Sequence, residues 1–89
     1  MNTKVLIIGA CGQIGTELTK KLREIYGIEN VVASDIRKLN NDVVNNGIFE
    51  VVNALDYNQI EHLVEEYKIT DVYLMAALLS ATAEKNPAF

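Results

Sequence analysis

Three glycines at three-residue spacing, Gly9-x-x-Gly12-x-x-Gly15, stand directly after the apolar run Lys4-Val5-Leu6-Ile7-Ile8. A strongly amphipathic stretch follows them. Glycines in that setting let backbone N–H groups approach an anion closely, and the first turn of a helix offers unpaired N–H groups and partial positive charge. The chemistry implied is recognition of a pyrophosphate, with Gly9 and Gly12 shaping the turn and Gly15 leaving room for helix and strand to pack. No Gly-Lys-Ser/Thr follows, so a P-loop is excluded. A second apolar run, Asn30-Val31-Val32-Ala33-Ser34-Asp35, ends in a carboxylate twenty positions after Gly15. An acid at that place can accept hydrogen bonds from both ribose hydroxyls of a dinucleotide. It would repel a 2′-phosphate, which favours NAD over NADP. Arg37, two residues on, offers a phosphate a partner and leaves that preference open.

Other polar residues admit plainer readings. Leu55-Asp56 is expected at the end of a third strand, where a carboxylate can meet the adenine amine; Asp56 also suits a helix cap with Gln59 three residues on. Ala76-Ala77 would end a fourth strand, small enough for a ligand to lie against the backbone. Ser80 follows in the loop. Cys11 sits within the phosphate turn, where a small residue is needed and where a helix start can also lower a thiol pKa. His62 is a surface residue in this reading. No metal-ligating cluster and no Ser/His/Asp or Cys/His set is evident.

These residues need a scaffold. Helix one is expected from about Gly12 to Tyr26, with Ile14, Leu18, Leu22 and Ile25 as one apolar stripe and Gly27 as its stop. The segment from Ile36 to Gly47 reads as an irregular crossover with a short helix around Asp42-Val43-Val44. Ile48 to Val52 forms a third strand. Ile60, Leu63, Val64 and Tyr67 mark a second clear helix after Asp56. Asp71 to Ala77 forms a fourth strand. The order predicts an α/β fold: a Rossmann-type parallel sheet, four strands in order 3-2-1-4, with flanking helices and right-handed crossovers. A ligand then belongs in the crevice at the carboxyl ends, where the strand order reverses.

Composition narrows the function further. The chain has 89 residues and a formal net charge of −4, so one small domain is the ceiling. Acidity and the scattered basic residues argue against nucleic acid or an anionic membrane as partner. One cysteine forms no internal disulfide, and no run is long enough to span a bilayer. A cytoplasmic protein is expected.

The glycine motif, Asp35, Asp56 and Ala76-Ala77 resemble the extended short-chain dehydrogenase/reductases, which include nucleotide-sugar epimerases and dehydratases. Leu6-Ile7-Ile8-Gly9-Ala10-Cys11-Gly12-Gln13-Ile14-Gly15-Thr16-Glu17-Leu18 and the segment from Met75 to Pro87, with Leu78-Leu79-Ser80-Ala81-Thr82, are similar to the bacterial L-threonine 3-dehydrogenases of that superfamily. The resemblance implies oxidation of the L-threonine hydroxyl by NAD to 2-amino-3-ketobutyrate. It implies that Gly9, Cys11, Gly12, Gln13, Ile14 and Gly15 meet the pyrophosphate, Asp35 and Ile36 the ribose, Leu55 and Asp56 the adenine. Ala76, Ala77 and Leu78 would lie on the nicotinamide side and Ser80 at the edge of the substrate site.

Members of that group run to roughly two to four times this length and carry a catalytic Tyr-x-x-x-Lys. Here Tyr26, Tyr57, Tyr67 and Tyr73 are followed four residues on by Asn30, Glu61, Asp71 and Ala77. No catalytic residue is therefore expected in this chain, which reads as the N-terminal, cofactor-binding part of a larger enzyme, homo-oligomeric at full length. The competing expectations are another NAD enzyme of the same superfamily, such as a nucleotide-sugar epimerase, and a non-catalytic dinucleotide-binding module.

Overall fold

The computed structural model describes residues 3–75. Val5–Ile8 forms β1, and its four residues are completely or almost completely buried. Gln13–Tyr26 forms α1, a single 3₁₀ turn covers Ile28–Asn30, and Val31–Asp35 forms β2. The crossover carries only the four-residue helix α2, Asp42–Asn45, before β3, Ile48–Val51. Tyr57–Glu66 forms α3 and Asp71–Leu74 forms β4. The strands lie in the order β3-β2-β1-β4, all parallel, which is the order expected from the chain. This is the Rossmann-type arrangement.

Period-2 alternation divides the core into two layers. Val5, Ile7, Val31 and Ala33 point to one face of the sheet, against Leu22 of α1 and Val43 of α2. Leu6, Ile8 and Val32 point to the other, against Leu63 of α3 and Val52. A strand buried on both faces needs apolar side chains at every position, and β1 has them. β4 is exposed along its whole length, so the sheet is more open on that side.

The packing of α1 corrects the expected stripe. Ile14 and Ile25 are 68% and 59% exposed, while Gly15, Thr19, Leu22 and Arg23 are buried. The contact face is turned by about a quarter of the helix circumference from Ile14, at 3.6 residues per turn. Gly15 sets that line: a Cβ there would stand 2.5 Å from the Gly9 carbonyl oxygen and 2.9 Å from Ala10 Cα. The helix approaches the turn through the one position that has no side chain. Gly27 ends α1 as expected, at φ 95°, with its N–H on the Arg23 carbonyl.

Candidate functional site

The carboxyl ends of β1, β2 and β3 converge on one cleft. Ile8, Gly9, Asp35, Ile36, Val52, Asn53 and Ala54 line it, and its volume is about 160 Å³. A larger groove of about 430 Å³ runs between α1 and α2, bordered by Lys20, Arg23, Glu24, Asp42 and Asn46. It lies away from the strand ends and mixes both charge signs, so the smaller cleft, at the carboxyl ends of the strands, is the candidate ligand site.

The turn between β1 and α1 has the features that an anion site needs. Gly9 has φ 89°, a left-handed conformation that disfavours any side chain. The N–H groups of Gly9 and Ala10 both donate to the Ser34 carbonyl, at 2.9 and 2.8 Å, which fixes the turn against β2. Gly12 is the N-cap of α1 and no side chain caps the helix; its first turn contains no acid. The N–H groups at Gln13, Ile14 and Gly15 therefore lack the usual competitor for an external anion. A Cβ on Gly12 would meet nothing nearer than 4.0 Å. Among the described residues nothing fills the space above Gly12.

Asp35 stands at the other side of this turn. Its Oδ2 accepts the Cys11 N–H at 2.8 Å and its Oδ1 accepts the Ile36 N–H at 2.7 Å. The carboxylate is half-buried and held in one orientation. Burial pushes the Cys11 thiol above its ordinary pKa; contact with the Asn41 side chain opposes this, the Asp35 charge adds to it, and the Leu39 backbone opposes it. A raised pKa suits a packing residue better than a reactive thiolate. Ile36 lines the cleft, and Arg37 is exposed in the segment that follows β2.

The third strand changes the expected picture. β3 ends at Val51, and the Val52 N–H donates to the Asp35 carbonyl at 2.8 Å. The chain then turns at Asn53, whose Oδ1 accepts the Leu55 N–H at 2.9 Å. Asn53 and Ala54, rather than Leu55 and Asp56, thus stand beside Asp35. Leu55 is 78% exposed outside the cleft lining. Asp56 caps α3 by accepting the Gln59 N–H at 3.2 Å. The reciprocal bond of a capping box is not made, because the Gln59 amide donates to the Val51 carbonyl instead. The sequence signal for Asn53 is its place directly after the last core residue of the strand, Val52; an Asx turn there ends the strand earlier than the apolar pattern implies.

Ala76, Ala77, Leu78 and Ser80 lie outside the described residues. Among the described residues no group of His, Cys, Asp or Glu could hold a metal ion, and no helix is long and apolar enough to cross a membrane. His62 is exposed on α3, 3.3 Å from Glu66 one turn on.

The family model for the NAD dependent epimerase/dehydratase family matches residues 5–87. An uncharacterized epimerase/dehydratase of Staphylococcus aureus is 53% identical over 85 residues, covering 94% of this chain and 26% of the relative. The structure of an L-threonine dehydrogenase from Clostridium difficile superposes with a TM-score of 0.83 at 45% identity, over 96% of this chain and 27% of that one. A GalE-like L-threonine dehydrogenase from Cupriavidus necator gives 0.77 at 48% identity, over 94% of this chain and 27% of the other. The chain spans about a quarter of the length of these relatives.

Proposed function

This chain belongs to the NAD dependent epimerase/dehydratase family, and from that premise we propose that it is the cofactor-binding part of an NAD-dependent L-threonine 3-dehydrogenase. The observation that carries the cofactor assignment is the join between the uncapped glycine turn and Asp35, through Cys11 N–H. In this reading the backbone at Gly12, Gln13, Ile14 and Gly15 holds the pyrophosphate. Asp35 accepts from the adenosine ribose hydroxyls with the acceptor positions left after Cys11 and Ile36. Its negative charge disfavours a 2′-phosphate. Ile36, Asn53 and Ala54 provide the walls for adenine. The pocket is apolar apart from Asp35 and Asn53, as a flat aromatic base with a polar edge requires.

NAD supplies a hydride acceptor when bound. The contribution of these residues is to fix the adenosine half; by the family resemblance Ala76, Ala77, Leu78 and Ser80 would serve the nicotinamide end. Threonine as substrate rests on the likeness to L-threonine dehydrogenases at 45% and 48% identity. No Tyr-x-x-x-Lys occurs within the 89 residues, so the isolated chain has no general base for the hydroxyl proton and produces no sustained NADH.

The test is a substrate screen on the intact protein with NAD. L-Threonine-dependent NADH formation supports the reading. The S. aureus relative favours a second reading, an epimerase or dehydratase: such an enzyme leaves threonine untouched and converts a nucleotide sugar without net NADH.

A further inference from the structure

The chain holds one chemically labile peptide link. Asn46 precedes Gly47, and no other asparagine of the 89 residues precedes a glycine. The side-chain amide of an asparagine is open to attack by the backbone nitrogen of the next residue. A Cβ on that next residue obstructs the approach, and glycine has none.

The fold does little to protect this pair. Asn46 is the C-cap of α2, with φ −106° and ψ 21°, and it is exposed. Its N–H donates to the Asp42 carbonyl at 2.9 Å. That bond lies on the side of Asn46 away from Gly47, so it survives a rotation of the link between them. Among the described residues the Gly47 N–H has no acceptor and the Asn46 side chain has no hydrogen-bond partner. Neighbouring asparagines are held: Asn41 accepts the Val44 N–H at 3.0 Å, and Asn45 donates to the Asn40 side chain at 2.9 Å. Asn46 also borders the groove of about 430 Å³ between α1 and α2, which gives water access to it.

Gly47, by contrast, has no room on its inner side. A Cβ there would stand 2.6 Å from Arg23 Cζ, and Arg23 is buried. Its Nη2 donates to the Val43 carbonyl at 2.7 Å, which fixes α2 against α1. The junction of α2 and β3 is thus chemically open at Asn46 and sterically closed at Gly47.

We propose that Asn46-Gly47 is a self-modifying site whose rearranged product unseats Arg23. The Gly47 nitrogen, its proton lost to hydroxide, forms a bond to Asn46 Cγ. The Cγ–Nδ2 bond breaks and the side-chain nitrogen leaves as ammonia. The succinimide ring so formed takes up one water. Cleavage of its bond between nitrogen and Cγ leaves an ordinary aspartyl residue. Cleavage between nitrogen and the main-chain carbonyl carbon leaves an isoaspartyl residue, whose main chain runs through Cβ and Cγ and is one methylene longer. No electron donor or acceptor takes part. The ordinary product changes only the charge. The isoaspartyl product pushes a lengthened chain against the guanidinium and loosens its hold on the Val43 carbonyl.

The test ages the intact protein at neutral and mildly alkaline pH, well below its melting temperature, beside its Asn46→Gln variant and a free peptide of residues 41–50. Conversion is followed by intact mass, peptide mapping and labelling with an isoaspartyl methyltransferase. The expected result is conversion of Asn46 ahead of every other asparagine of the 89 residues, faster at the higher pH and absent from Asn46→Gln. The isoaspartyl fraction, separated by ion exchange, should melt roughly 2–8 °C below the unaged protein. Asn46→Asp carries the new charge without the extra methylene and should melt with the unaged protein. No conversion at Asn46 during an incubation that converts the peptide completely, or earlier conversion of another asparagine, overturns the site. Equal melting of the isoaspartyl fraction and the unaged protein overturns the effect on Arg23. An equal loss in Asn46→Asp assigns that loss to charge and overturns it too.

Discussion

The backbone N–H of Cys11 donates to Oδ2 of Asp35 across 2.8 Å. These residues are twenty-four positions apart, at the tips of the first two strands. The bond ties the glycine turn after β1 to the acid that ends β2. With the Ile36 N–H on Oδ1, two of about four acceptor positions of the carboxylate are used and the rest are available to hydroxyl donors. A ligand then meets an acid already oriented, which lowers the ordering cost of binding.

Asp35→Ala should weaken NAD sharply. It removes the hydroxyl acceptor and also releases the turn at Cys11. Hydrogen bonds to a charged group contribute roughly 1.5–3 kcal/mol, so an increase in Kd of at least about tenfold is expected. Asp35→Asn keeps an oxygen acceptor without the charge and should fall between. NADP should gain relative to NAD in both variants. An NAD affinity unchanged in Asp35→Ala, measured by titration calorimetry, removes the ribose assignment.

The glycines separate folding from binding. Gly15→Ala places a methyl against backbone atoms of Gly9 and Ala10, which have no side-chain freedom to yield. A loss of about 1–3 kcal/mol in unfolding free energy is expected. Gly12→Ala meets open space among the described residues, and its φ of −73° suits alanine. Its stability should stay within about 0.5 kcal/mol, while NAD binding weakens because the methyl enters the ligand's volume. Denaturant unfolding and NAD titration of both variants test this; equal destabilisation of the two would contradict the geometry.

The strand order was legible in the sequence because β1 and β2 are apolar at nearly every position and the glycine motif punctuates them. Asp35 was legible because it ends the strand-forming run Val31-Val32-Ala33-Ser34. The face of α1 was not, since a stripe of large residues ignores the glycine that permits close approach. Ile14 and Ile25 fit the period yet stand exposed. β3 ends at Val51, one residue before the expected Val52, and the Asx turn at Asn53 carries Leu55 and Asp56 beyond the strand end. The burial of Arg23 was not legible either, because it lies against Gly47, a neighbour that spacing along the chain does not reveal.

Asn53 and Leu55 offer a direct comparison at the third strand. Asn53 lines the cleft; Leu55 is mostly exposed outside it. Asn53→Ala should raise the Kd for NAD about twofold to tenfold, the value of one neutral hydrogen bond. Leu55→Ala should leave it unchanged. The reverse order in a titration with NAD or AMP would return the adenine contact to the Leu55-Asp56 pair.

Tyr67 reports on the opposite face of the sheet. Its hydroxyl donates to the Glu50 carboxylate, joining the end of α3 to β3. That bond, with burial and the charges of Glu50 and Glu66, pushes the Tyr67 pKa up to about 12 from an ordinary 10. Between those values the folded state holds a proton that the unfolded state has released. The stabilisation is therefore fully present below pH 10 and is lost as pH rises towards 12. Tyr67→Phe should cost about 1 kcal/mol at pH 7. The gap between parent and variant in denaturant unfolding should close as pH rises through that window. A gap that stays constant from pH 9 to 12 would mean that the phenol is not held by Glu50.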